Sequence, residues 1–196
     1  MPEDTQLSDS DGIFLVKTAR MAVTEFLSNG KRMKLEPKHE KRFSFNSGIF
    51  VTLNNTDGLR GCIGFPMPDK KLSHGIIDAA IAAATEDPRF SPVKINEMSD
   101  IMFEVTVLTP PVEITITDPM EYLEKIKVGR DGLIIRNSFS SGLLLPQVPV
   151  EYGWDVEEFL QHTCEKAGLE KDTWKNEKVK IEKFEGIVYK EETNGS

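Results

Sequence analysis

Gly58-Leu59-Arg60-Gly61-Cys62-Ile63-Gly64-Phe65 follows the apolar run Ile49-Phe50-Val51-Thr52-Leu53 across a cluster of turn formers, Asn54 to Gly58. Two such runs joined in this way predict a β-hairpin with a loop of several residues. In an extended strand alternate side chains share a face, so Leu59, Gly61, Ile63 and Phe65 fall on one side and Arg60, Cys62 and Gly64 on the other. A cation and a thiol are thereby set side by side. A guanidinium near a thiol favours the thiolate, the nucleophilic form, and Gly64 leaves room for a ligand or another backbone to approach. The packing alternative stands beside this one: Cys is among the most buried residue types, and glycine in a strand can simply admit a neighbouring element.

Outward from the hairpin, Phe14, Val16, Ala19, Val23, Phe26 and Leu27 recur at helical spacing from Asp11, with Asn29-Gly30 as the stop. Arg20 adjoins that stripe and is expected to snorkel, its stem on the core and its head in water. Lys31 to Arg42 reads as a charged connector. Beyond the hairpin, Leu72 to Glu86 predicts a helix rich in small side chains, suited to lying close on a sheet. His74 and Asp78 stand four apart on it, either an exposed pair or a base and its orienter for Cys62. Asp87-Pro88-Arg89-Phe90-Ser91-Pro92 ends the helix with restricted backbone, and Asp87 and Arg89 either pair with each other or help to wall a pocket. Ile101 to Leu108 is then a strand.

Pro110-Pro111 marks a domain boundary, since two prolines stiffen the chain just after a strand. A short strand around Val112 to Ile116, a short helix opened by Asp118-Pro119 with Glu121, and strands at Gly132–Arg136 and Gly142–Leu145 follow, with Pro146 and Pro149 as the exit. Asp155 and Glu158 make a capping box for a helix carrying Phe159, Leu160, Cys164 and Ala167 and stopped by Gly168. His162 and Cys164 face different directions, and Cys164 reads as core. A last strand, Val179 to Tyr189, is expected to return to the main sheet. The expectation is therefore an α+β protein of two unequal domains, the larger a mixed sheet with packed helices at 11–109 plus 150–190, the smaller at 110–149. The first ten and last six residues are expected to fray.

Composition narrows the function classes. With 196 residues and a net charge of −8, the chain suits a soluble globular protein without a general affinity for nucleic-acid phosphates or anionic membranes. Its acidic start, Met1 to Gln6, does not read as a secretory signal, and no apolar run reaches membrane-spanning length, so the expected location is the cytoplasm. The two cysteines, Cys62 and Cys164, make neither a disulfide framework nor a zinc site. No P-loop, dinucleotide-binding turn, Gly-x-Ser-x-Gly or metal-ligand cluster is present, and no cofactor can be named.

Taken together, the unbroken Leu59-Arg60-Gly61-Cys62-Ile63-Gly64 resembles the hallmark of the AMMECR family. Phe50 to Leu53, Asp87 to Phe90, Val105 to Leu108, Leu145 to Val148, Trp154-Asp155 and Lys166 to Leu169 resemble that family's other segments. The resemblance implies two unequal α+β domains with a cleft between them and the hallmark in the larger. It also implies a role in basic cellular machinery, namely transcription, replication, repair or translation, with a functional link to Memo-like and radical S-adenosylmethionine proteins. Two functional readings follow. One is an enzyme or ligand-binding protein with Cys62 as nucleophile, Arg60 and Asp87 assisting, and Arg60, Gly61, Gly64 and Arg89 holding a small molecule. The other is a non-catalytic binding or scaffolding module with a protein partner. In a third view Arg60 is a structural ion-pair partner, with Asp87 as its expected acid.

Overall fold

The structure, a computed structural model, describes residues 7–176 and 179–191. The chain is α+β and forms two compact units, one ending at Leu108 and resuming at Ile187, the other Thr109–Gly186. In the first unit α1 (Asp9–Asn29) opens with a capping box, in which Ser8 Oγ accepts from the Asp11 N–H and the Asp11 carboxylate accepts from the Ser8 N–H. The helix thus begins earlier than its apolar pattern predicts, and residues 8–10, expected to fray, are part of its start. Residues 1–6 and 192–196 lie outside the described residues. α2 (Pro37–Arg42) occupies part of the expected connector, its proline at the first helical turn where no N–H is required.

β1 (Ile49–Asn55) and β2 (Gly58–Phe65) form the hairpin, and β3 (Met102–Leu108) pairs with the other side of β1. The loop is shorter than expected: Asn54 and Asn55 belong to the strand, and the Asn55 side chain accepts from the Asp57 N–H at 2.9 Å. Both pairings are antiparallel, where a mixed sheet was expected. β2 and β3 do run parallel to each other, but β1 lies between them, so α3 (Leu72–Thr85) carries the chain over one intervening strand. Alternation does the rest. Ile49, Val51 and Leu53 of β1 and Phe103, Val105 and Val107 of β3 are buried in one core with Leu15, Val16 and Ala19 of α1 and Leu72, Ile76, Ala80 and Ala83 of α3.

Arg20 departs from expectation. Its guanidinium is not a solvated head: it donates to the carbonyls of Met98 at 2.8 Å and Ile101 at 2.5 Å and pairs with Glu191. One cation thereby ties α1 to the segment leading into β3 and to Glu191, giving donors to two main-chain carbonyls and a carboxylate.

The second unit contains β4 (Val112–Glu113), α4 (Tyr122–Lys125), β5 (Asp131–Arg136), β6 (Ser141–Leu144), α5 (Gln147–Tyr152), α6 (Val156–Lys166) and β7 (Lys180–Lys190) through Gly186. β5 pairs antiparallel with β6 and with β7. Its core joins Leu133 and Ile135 of β5 to Phe159, Leu160 and Cys164 of α6, with Ile181 and Trp174. Residues 150–186, expected in the larger domain, therefore belong to this unit, because the apolar side of α6 is buried on β5. The prolines read as an exit sit in and beside α5, and only Ile187 onward joins the first unit, where the Glu191 N–H donates to the Phe103 carbonyl at 2.9 Å.

Gly61 allows α3 to approach the hairpin. A Cβ there would lie 2.2 Å from the Ala83 carbonyl oxygen, a main-chain atom that no rotamer change can move. Gly61→Ala is expected to lower stability by about 3 kcal/mol, as over-packing against backbone does, read as a lower midpoint in urea unfolding with an unchanged slope.

Candidate functional site

The hairpin register holds one irregularity. Leu53 faces Gly61 while Asn54 faces Leu59, so Arg60 is an extra residue in β2 with no partner on β1. A bulge of this kind re-aims its side chain. Arg60 donates through Nε and Nη2 to the Glu97 carboxylate at 2.9 and 3.2 Å and through Nη1 to the Ser91 carbonyl at 2.9 Å. The hydrogen bonds from Arg60, then the one from the Lys94 N–H, hold the Glu97 carboxyl below its usual range. Arg60 therefore has a structural acid, which is Glu97 where Asp87 was expected. None of its hydrogen bonds goes to Cys62.

The cation at Cys62 is Arg89. Because β2 is the edge strand of its sheet, the outward N–H and C=O of Cys62 have no neighbouring strand to bond. The Cys62 N–H donates to Asp87 Oδ2 at 2.8 Å, and its carbonyl accepts a long contact from Arg89 Nη2 at 3.4 Å. Arg89 in turn grips Asp87 through Nε at 3.0 Å and Nη2 at 2.8 Å, and its own N–H donates to Oδ1 at 3.1 Å. The pair imitates what an adjacent strand would offer at one residue. Asp87 is 3% exposed at its side chain and Arg89 53%. The Arg89 hydrogen bonds hold the Asp87 carboxyl far below the usual carboxylate range; burial opposes them, and the Cys62 N–H adds to them. A carboxylate so committed has no proton to give at neutral pH, and its action is on position.

The Cys62 side chain is half-buried on the face of the sheet away from the core, opposite Thr52, whose hydroxyl donates to Sγ at 3.2 Å. Gly61 serves helix packing, as above. At Gly64 the space expected for a ligand is taken by the Phe50 ring, 2.3 Å from where a Cβ would stand, and by the Ile49 carbonyl at 2.4 Å. The helix pair does not reach the thiol: His74 stands 3.5 Å from Glu40, and Asp78 is held by Lys70 at 2.6 Å and by Arg32. Cys164 is fully buried in the second unit, and burial pushes its thiol up to about 11. Among the described residues no group of three or more His, Cys, Asp or Glu is placed to hold a metal ion, and no helix is long and apolar enough to cross a membrane.

Cys62, Asp87 and Arg89 are thus brought together, while Arg60 is directed to Glu97 and Gly64 is covered. Thr52 and Glu97 were missed from sequence. Thr52 was not within reach, since counting back from the turn places it opposite Gly61, and only the extra residue at Arg60 moves it opposite Cys62. Glu97 carries no signal either, because its role depends on a bulge and an irregular segment.

The AMMECR1 family model matches residues 16–189 of the chain. This chain belongs to the AMMECR1 family. A relative from Methanocaldococcus jannaschii is 51% identical over 187 residues, covering 94% of this chain and 92% of that protein. A relative from Pyrococcus abyssi is 49% identical over 192 residues, covering 95% and 93%. The crystal structure of an uncharacterized Pyrococcus horikoshii protein superposes with a TM-score of 0.77 at 49% identity, covering 95% of this AMMECR1 chain and 94% of the other.

The acid dependence of stability should carry the mark of Asp87. Its pKa is depressed in the folded state, so its contribution is complete above the unfolded value of about 3.9 and is lost as pH falls from there. Asp87→Asn is expected to cost about 2 kcal/mol at pH 7, a buried pair discounted for its exposed cation. The difference from wild type should shrink as chemical unfolding is repeated at pH values falling toward 2.5.

Proposed function

We propose that this AMMECR1-family protein presents Cys62 as the reactive thiol of a small-ligand site in a reducing, cytoplasmic setting, with Thr52 and Arg89 as its polar neighbours. One observation carries the reading, the contrast between the two cysteines. Cys164 is sealed in a core, whereas Cys62 is half-buried and its main chain is held at both N–H and C=O by a charged pair. The clamp satisfies the edge of β2, and by holding the main chain of Cys62 it also presets the position of the sulfur, as a scaffold does for a reacting atom. Arg89, half-exposed and anchored along one edge, leaves Nη1 free of any hydrogen bond among the described residues, available to an anionic group on the ligand.

A second reading, a non-catalytic binding module in basic cellular machinery, is favoured by a different observation. Arg60, Asp87, Gly61 and Gly64 all satisfy internal partners, as in a segment built for rigidity. Timed alkylation by iodoacetamide with peptide mapping separates the two. The thiol reading expects native protein to be modified at Cys62 long before Cys164, and Arg89→Gln to slow the reaction at Cys62 by roughly threefold at pH 7 through loss of a nearby cation. Modification of both cysteines only on unfolding contradicts the thiol reading and leaves the binding module.

A further inference from the structure

Arg60, Phe90, Ser91, Lys94, Asn96 and Glu97 line an open depression of about 470 Å³ in the first unit. That is within the range of small-molecule sites, and its parts are unequal in what they have left to offer. All three nitrogens of the Arg60 guanidinium are engaged in its plane, by both Glu97 oxygens and the Ser91 carbonyl. With a side chain only 13% exposed, what Arg60 has left to give a ligand is chiefly its flat face. A guanidinium whose edge is occupied in this way is suited to stacking on a planar ring. Phe90 adds an aromatic wall and is itself backed by Arg89, whose guanidinium carbon stands 5.4 Å from the ring centre.

The rim is chemically open. Neither the Lys94 ammonium nor the Asn96 amide has a hydrogen-bond or ion-pair partner among the described residues, and both residues are exposed. Arg60 and Glu97 cancel in charge, so Lys94 leaves the lining with one net positive charge. A stacking floor, an aromatic wall, one cation that feels the Glu97 charge but makes no hydrogen bond or close ion pair, and one amide able both to donate and to accept form a consistent set.

We infer that this depression binds a planar, singly charged anion, an aromatic or heteroaromatic carboxylate, with its ring over Arg60 and against Phe90 and its acid group at Lys94 and Asn96. The inference deepens the small-ligand reading above and rests on it, but it does not require Cys62 to react. The bulge supports the assignment from the other side. It turns Arg60 away from the thiol and toward the segment of residues 90–97, so the ring-binding floor and the thiol are neighbours on one strand with separate tasks.

Two-dimensional amide NMR with 2-naphthoate, cyclohexanecarboxylate and 2-naphthylmethylamine as probes tests it on the intact chain. Saturable low-millimolar binding of 2-naphthoate is expected, with shifts centred on residues 90–97 and 60. The non-planar acid should bind at least roughly threefold more weakly for want of stacking, and the amine should not bind there. Lys94→Ala, a change at an exposed position, should weaken 2-naphthoate by roughly fivefold with an unaltered spectrum elsewhere. Absence of naphthoate binding, equal binding of the saturated acid or the amine, or indifference to Lys94→Ala overturns the inference. Cys62 alkylation in the same preparation reports separately on the thiol. A fast thiol without naphthoate binding sinks this pocket alone, and naphthoate binding beside an inert thiol sinks the nucleophile alone.

Discussion

A single buried carboxylate organises this part of the molecule. Asp87 accepts four hydrogen bonds, one from the Cys62 N–H and three from Arg89. It stands just past the end of α3, on the segment that crosses back toward β3. At this one residue the helix exit, the free edge of β2 and a half-exposed guanidinium are joined. An edge strand with an open N–H and C=O invites pairing with another chain, and here a charged pair fills both positions at Cys62. The pair needs its own fourfold satisfaction, because a buried carboxylate short of donors would be costly. Arg89 meets that need with both side-chain and main-chain donors.

Around this clamp the two faces of β2 do different work. On the core side Gly61 lets the α3 main chain come close, which a helix of small residues, Ala79 to Ala84, makes possible. On the other side Phe50 covers Gly64, Thr52 reaches the Cys62 sulfur, and the bulge sends Arg60 to Glu97. The hairpin is consequently fixed at its helix, at its edge and at its bulge. A thiol and a shallow pocket are the features left open on it. Rigid support with a few uncommitted groups is the arrangement from which binding sites are made.

The hairpin, the long helices and the assignment of residues to strand faces could be read from the chain, because period-2 and period-3.6 patterns are long there and the stops at Gly30 and Gly168 are explicit. What could not be read turned on single residues. One extra residue at Arg60 leaves no trace in an alternating pattern, so the cation was assigned to the wrong acid and to the thiol. Pro146 and Pro149 read as the exit of the smaller domain, although proline is at home in a first helical turn and both sit at the start of α5. Arg20 was read by its neighbours on α1, whereas its partners lie about 80 and 171 residues away at Met98, Ile101 and Glu191. The allocation of 150–186 to the second unit depends on which sheet receives the apolar side of α6, and periodicity states only that such a side exists. Cys62, Asp87 and Arg89 could be named from the sequence as candidates, and the contacts that join them depend on the edge position of β2.

The account stands or falls on the clamp at Cys62, and amide hydrogen exchange reads it residue by residue. The Cys62 N–H points off the edge of a sheet, where exchange is ordinarily fast. With Asp87 accepting from it, it should exchange at neutral pH as slowly as amides of the inner strand β1, and Asp87→Ala should release it while the β1 amides stay protected. A Cys62 amide that exchanges in the wild type as quickly as an unpaired edge amide would contradict the account.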